Sequence, residues 1–228
     1  MTPRRSVAGA VIGTLGSACA LAYAQVALPA QPLLSDYALV PGGLIPVLAG
    51  MLALAGACLC LAYGLAAVEP ARTAATRVLL LAGAAGLMMS AVFPTDPGTS
   101  HVGTLSGEIH RWSAAVVFTS LPVAGWTFAR GRGPAPRWTA VRAMSVASGL
   151  ALAVYLAAHP TTVTSPLING TAFYGPMERA VVLAEMALIL VMALAALGTR
   201  QARAAAAPAT ETTEPPRPHD SGPTRLAA

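Results

Sequence analysis

The sequence predicts an all-α protein, an integral membrane bundle of six transmembrane helices with both termini in the cytoplasm. Three observations carry that prediction. Hydrophobic residues make up 55% of the chain and charged residues only 10%, where a soluble domain carries about 25% charged residues. So sparse a charge cannot cover a water-facing surface, and the solvent must be lipid. The apolar residues gather in six runs, each near the ~20 residues that cross about 30 Å of hydrocarbon as helix. The arginines gather in alternate loops, the signature of membrane orientation.

The first run covers residues 7–28, behind Arg4 and Arg5. A basic start, an apolar core and Ala22-Tyr23-Ala24 before Gln25 also fit a cleavable signal peptide. Apolar character continues through Val26-Ala27-Leu28, however, and lengthens the run to a full crossing, which favours a retained span. The second run covers residues 39–67, interrupted early by Pro41-Gly42-Gly43, and the third covers 76–93, closed by Pro94. The fourth, fifth and sixth cover residues 110–129, 138–158 and 173–197. None alternates with a period of two, so the runs are helices rather than barrel strands, the two structures that satisfy their backbone groups in lipid. Residues 1–200 thus form the transmembrane domain. Residues 201–228, with Glu214-Pro215-Pro216-Arg217-Pro218 and no apolar pattern, read as a disordered cytoplasmic tail.

There is no lysine, so arginine alone reports orientation. One side receives Arg4, Arg5, Arg72, Arg77, Arg130, Arg132, Arg137, Arg142, Arg200 and Arg203; the other receives only Arg111 and Arg179. The arginine-rich side is cytoplasmic, in the plasma membrane. Short loops of this kind do not build the basic face that nucleic acid needs, so nucleic acid is excluded as a partner and membrane lipids are the expected one. Tyr37, Trp112 and Tyr174 are placed near one interface and Tyr63, Trp126 and Trp138 near the other. Cys19, Cys58 and Cys60 fall in apolar runs at different depths, which predicts small buried hydrophobes rather than a disulfide. Gly9-Ala-Val-Ile-Gly13 has the small-xxx-small spacing of close helix pairs, but a chain so rich in Ala and Gly produces that spacing by chance.

The remaining ionisable groups collect toward the outer face. Ionisable groups at membrane depth are costly and mark functional sites by default. Asp96, His110, Arg111, Glu178 and Arg179 are therefore the first candidates for a ligand-binding outer pocket, with His101, His159 and Glu185 behind them. Each also has a structural reading. Asp96 can cap the turn after Pro94. Arg111 can reach up to the headgroups, and His110 can be an interfacial hydrogen bonder. Glu185 follows Glu178 by seven residues, so both lie on one helix face, and Glu185 sits toward the bilayer middle. There it must pair, hold a proton or face a wet cavity. No His-x-x-x-His helix pair or cysteine pair is present, so no metal and no cofactor is assigned, and no catalytic residue is named.

Phe93-Pro94-Thr95-Asp96-Pro97 at the end of an apolar span, then Gly107 and His110 opening the next, resembles the bacterial membrane family catalogued as domain of unknown function 998. Glu178-Arg179 after a glycine at the start of the last span looks like that family's closing motif. The resemblance covers residues 7–199 and implies a six-helix integral membrane protein. In that family the residue after the histidine is often acidic; here it is Arg111.

The favoured expectation is a non-catalytic membrane protein that binds a lipid or small ligand or assembles with a partner. Asp96 and Glu178 would then be charge-paired with Arg111 and Arg179. Two alternatives make different demands. A metal-dependent intramembrane lipid hydrolase needs three His or carboxylate groups around one point. A proton-coupled transporter needs a cavity that reaches Glu185, and the chain shows no obvious internal repeat to support one.

Overall fold

Each apolar run folds as one helix. The computed structural model describes residues 3–97, 103–158 and 171–206. The helices are α1 (Pro3–Ala27), α2 (Leu44–Val68), α3 (Ala74–Val92), α4 (Leu105–Ala129), α5 (Pro136–Ala157) and α6 (Thr171–Ala206), with one short 3-10 helix, Ser35–Leu39, between α1 and α2. All six are long and apolar enough to cross a membrane, and no strand occurs among the described residues.

The boundaries depart from the sequence expectation where polar residues belong to helices. α2 begins at Leu44, because Pro41, Gly42 and Gly43 form a turn. α4 begins at Leu105, five residues before His110, because Thr104 caps it: its hydroxyl accepts from the Gly107 amide at 3.1 Å. His110 and Arg111 therefore lie in the second turn, not at the first position. α6 continues to Ala206, past the expected start of the tail, through alanine and arginine, which are good helix formers. Residues 207–228 lie outside the described residues.

Consecutive helices pack side by side, and α6 returns to α1, closing a ring. α6 also touches α4 and α2. Its Leu188, Ile189 and Met192 are accordingly among the most buried large side chains. Lipid tails are as apolar as the helices, so close packing holds the ring together. Gly13 shows this at α1–α2: a Cβ there would lie 2.7 Å from the Ala53 carbonyl oxygen and 3.1 Å from the Ala57 Cβ. The small-xxx-small spacing thus marks a close helix approach, at least through Gly13.

The loop arginines at one end of the bundle are also fasteners. Arg72 donates to the Gly131 carbonyl at 2.8 Å and Arg142 to the Arg132 carbonyl at 2.6 Å. Arg132 forms an ion pair with Glu69, an acid the sequence reading did not single out, and lies 4.4 Å above the Trp138 ring. Trp138 is therefore buried under arginine, and Tyr37 is buried in a small cluster with Ala24, Leu34 and Val47. Trp112, Trp126 and Tyr63 remain exposed as belt residues should. Cys58 is buried as expected, whereas Cys19 faces outward.

Candidate functional site

At the end opposite the arginine-rich loops, the Phe93–Pro97 motif is a clasp between α3 and α4. Ser90 would offer its carbonyl to the amide four residues on, but that residue is Pro94, which has no N–H. His110 supplies the missing donor. Its Nδ1 lies 3.0 Å from the Ser90 oxygen and 2.9 Å from the Phe93 oxygen. Facing two acceptors, Nδ1 carries a hydrogen and donates it to them. The Ser106 hydroxyl donates to the Pro94 carbonyl at 3.0 Å.

Asp96 completes the clasp. Its carboxylate accepts from the Thr104 hydroxyl at 2.7 Å, the Thr104 amide at 3.1 Å and the Gly103 amide at 3.0 Å. The Thr104 hydroxyl, then its amide, hold the Asp96 carboxyl below the usual carboxylate range, with Gly103 and the more distant Arg111 adding to this. Gly107 must lack a side chain, since a Cβ there would run into the Asp96 carboxylate. Asp96 thus caps the start of α4 across the loop instead of its own turn. The expected Asp96–Arg111 ion pair does not form.

The Glu178-Arg179 pair does not close on itself either. The Glu178 carboxylate accepts from the Leu34 amide at 2.6 Å. Arg179 donates to the Pro32 carbonyl at 2.8 Å and the Gln31 carbonyl at 2.9 Å. Both residues therefore fasten the segment between α1 and the 3-10 helix onto α6. Gly175 allows the approach: a Cβ there would collide with the Pro32 carbonyl. The pairing expectation failed because backbone groups of this segment, which sequence cannot place, reach the two charges first. Asp36, in the 3-10 helix, is buried beside them, and burial raises its carboxyl above the ordinary range against the Leu33 amide, His110 and Arg179, which lower it. Its Oδ1 has no hydrogen-bond partner among the described residues.

Behind the clasp lies a cavity of about 410 Å³. Its walls are mostly apolar, among them Leu54, Leu87, Val117 and Val182, and its polar groups include Ser17, Ser90, His110, Glu178 and Glu185. The cavity therefore reaches Glu185, which is 1% exposed and whose Oε1 has no hydrogen-bond partner among the described residues. Tyr155 and Tyr174 line one side, their rings stacked 4.7 Å apart and their hydroxyls 2.6 Å apart. The lining residues that are also exposed are Arg111, Trp112, Ala115 and Thr119 on α4 and Leu156 on α5. Arg111 to Thr119 spans about 12 Å of helix, so the rim descends along the bundle's side between α4 and α5.

Of the sequence candidates, Asp96, His110, Arg111, Glu178 and Glu185 border this one cavity. Arg179 serves the loop instead, and His101 and His159 lie outside the described residues. Among the described residues no three His, Cys, Asp or Glu side chains gather to hold a metal. Sequence reasoning missed Ser17, Tyr155 and the exposed rim, because each becomes visible only once helices distant in the chain are neighbours. No curated protein and no solved structure matches the chain. The family described as protein of unknown function (DUF998) matches residues 7–195, over the clasp, the closing motif and all six helices that build the cavity, and the chain belongs to that family.

Proposed function

We propose that this six-span membrane protein is a non-catalytic binder of a membrane amphiphile, which it takes into the α4–α5 side of its cavity. The observation that supports this is the cavity itself, about 410 Å³, within the 300–1,000 Å³ of small-molecule sites and, like them, apolar with a few convergent polar groups. Its rim runs down the side of the bundle, where a lipid tail can enter without crossing water. The charges of the clasp and of Arg179 are spent on loops and helix ends, as a binding scaffold requires. The alternate arginine loops support both termini in the cytoplasm of the plasma membrane, with the cavity toward the outer leaflet.

Lipid analysis of the protein purified in mild detergent, beside Ala114→Trp, tests the reading. Ala114 lines the cavity. An amphiphile bound in wild type and lost in a folded Ala114→Trp variant is the expected result; equal amounts in both, or none in either, sinks it. A carboxyl-terminal fluorescent protein that matures only in the cytoplasm tests the orientation, and a dark fusion reverses it.

One observation also favours a proton-coupled transporter, the cavity's reach to Glu185. Proton uptake coupled to substrate entry in vesicles, abolished by Glu185→Gln, would move the protein to that class.

A further inference from the structure

We infer that the ligand is an organic cation with an apolar body, an amine or quaternary ammonium whose nitrogen seats against Glu185 deep in the cavity. This rests on the cavity being a binding site and specifies what enters it. The polar side chains of the inner cavity include two acids and no lysine or arginine among the described residues. Glu178 and Glu185 are carboxylates on one face of α6, about 10 Å apart along the helix. His110 spends its Nδ1 hydrogen on the Ser90 and Phe93 carbonyls. Ser17, on α1, lines the cavity and has a buried hydroxyl with no partner among the described residues.

The chain has no lysine. The one arginine that lines the cavity, Arg111, is exposed at the rim. A carboxyl group at this depth needs a proton or a cation, and among the described residues no protein cation reaches Glu185. The ligand can supply the charge. A metal ion is a poorer match, because it requires several donor atoms at one point, and no three such groups converge among the described residues. An organic cation needs one or two carboxylates and tolerates aromatic faces. Phe118, Tyr155 and Tyr174 border the same space, with Phe118 edge-on to Tyr155 at 6.1 Å. An anionic amphiphile would meet the carboxylates with no buried lysine or arginine among the described residues to receive it.

The test compares octyltrimethylammonium, octanol and octanoate, which share a tail and differ in head charge. Binding to the protein in zwitterionic nanodiscs is measured by calorimetry against empty nanodiscs. The expected order is cation, then neutral, then anion, with the cation at least about tenfold tighter than the alcohol, one such factor being the weight of a single modest interaction. Glu185→Gln should remove that preference and leave octanol binding unchanged, which also shows the variant to be folded. Octanol or octanoate binding as tightly as the cation to wild type overturns the inference and leaves the amphiphile cavity standing. No binding of any of the three overturns both. Tetramethylammonium separates the sources. Binding equal to that of the octyl compound assigns a water-borne cation, and much weaker binding assigns a tail-bearing one from the membrane, with Glu185 as counter-ion in both cases.

Discussion

Arg179→Ala removes the two hydrogen bonds that tie α6 to the Gln31 and Pro32 carbonyls, at 2.9 and 2.8 Å. A hydrogen bond from a charged donor contributes about 1.5–3 kcal/mol. One of these is exposed and weaker, and truncation returns about 2 kcal/mol of arginine side-chain entropy. The net loss is then about 2 kcal/mol, or a melting temperature lower by about 4–8 °C at the ~2–4 °C per kcal/mol of a chain this size. Scanning fluorimetry in detergent reads the shift, and hydrogen exchange should rise in residues 28–34 alone. Arg179→Lys keeps the charge but not the fork of donors, and should recover less than half of the loss. A charge pair with Glu178 would behave otherwise: Glu178→Gln would then rescue Arg179→Ala, whereas the observed geometry predicts no rescue. A melting temperature within about 1 °C of wild type, or rescue by Glu178→Gln, would refute the reasoning.

Three further outcomes follow from the same structure. Gly13→Ala pushes a methyl against the Ala53 carbonyl and should cost about 1–3 kcal/mol, while Gly56→Ala, which meets nothing within 4 Å, should leave the melting temperature unchanged; equal effects would show that α1 and α2 are not in close register. Thr104→Ala removes the cap of α4 and should cost about 1 kcal/mol; Thr104→Ser should not, and equal stability of all three forms counts against the clasp. Asp36 is a carboxyl raised by burial, so folding favours its protonated form, and the stability it lends at low pH is lost as pH rises from the ordinary carboxylate range, about 4, through the raised value. Asp36→Asn should flatten that fall in melting temperature. Parallel profiles in the two proteins would mean that Asp36 is already well solvated.

The helices were legible because lipid imposes a long, simple signal. Residues 44–68 or 173–199 can do little else than cross a bilayer as helix. Their ends were less legible where polar residues join the helix. Thr104 as a cap and the extra turn before His110 follow from hydrogen bonds to a loop, not from hydropathy. The candidate site divides in the same way. Ionisable residues in apolar surroundings stand out in any sequence, so Asp96, His110, Glu178 and Glu185 could be named. Their partners could not. Asp96 meets Thr104, Glu178 meets the Leu34 amide and Arg179 meets two carbonyls, and backbone groups carry no residue-type signal that a charge count can detect.

The sequence by itself determined six spans, the alternation of arginine between loops and the short roster of ionisable residues at the opposite end, because transfer into lipid penalises each residue almost independently of its neighbours. Only the tertiary structure decided that the polar cluster is split in two. Asp96 with His110 closes a clasp and Arg179 pins a loop, while Glu185 is left beside a cavity with no partner for its Oε1 among the described residues. That division depends on which helices close the ring and on where loop amides and carbonyls fall, and hydrogen-bond geometry of that kind exists only once the whole chain has folded.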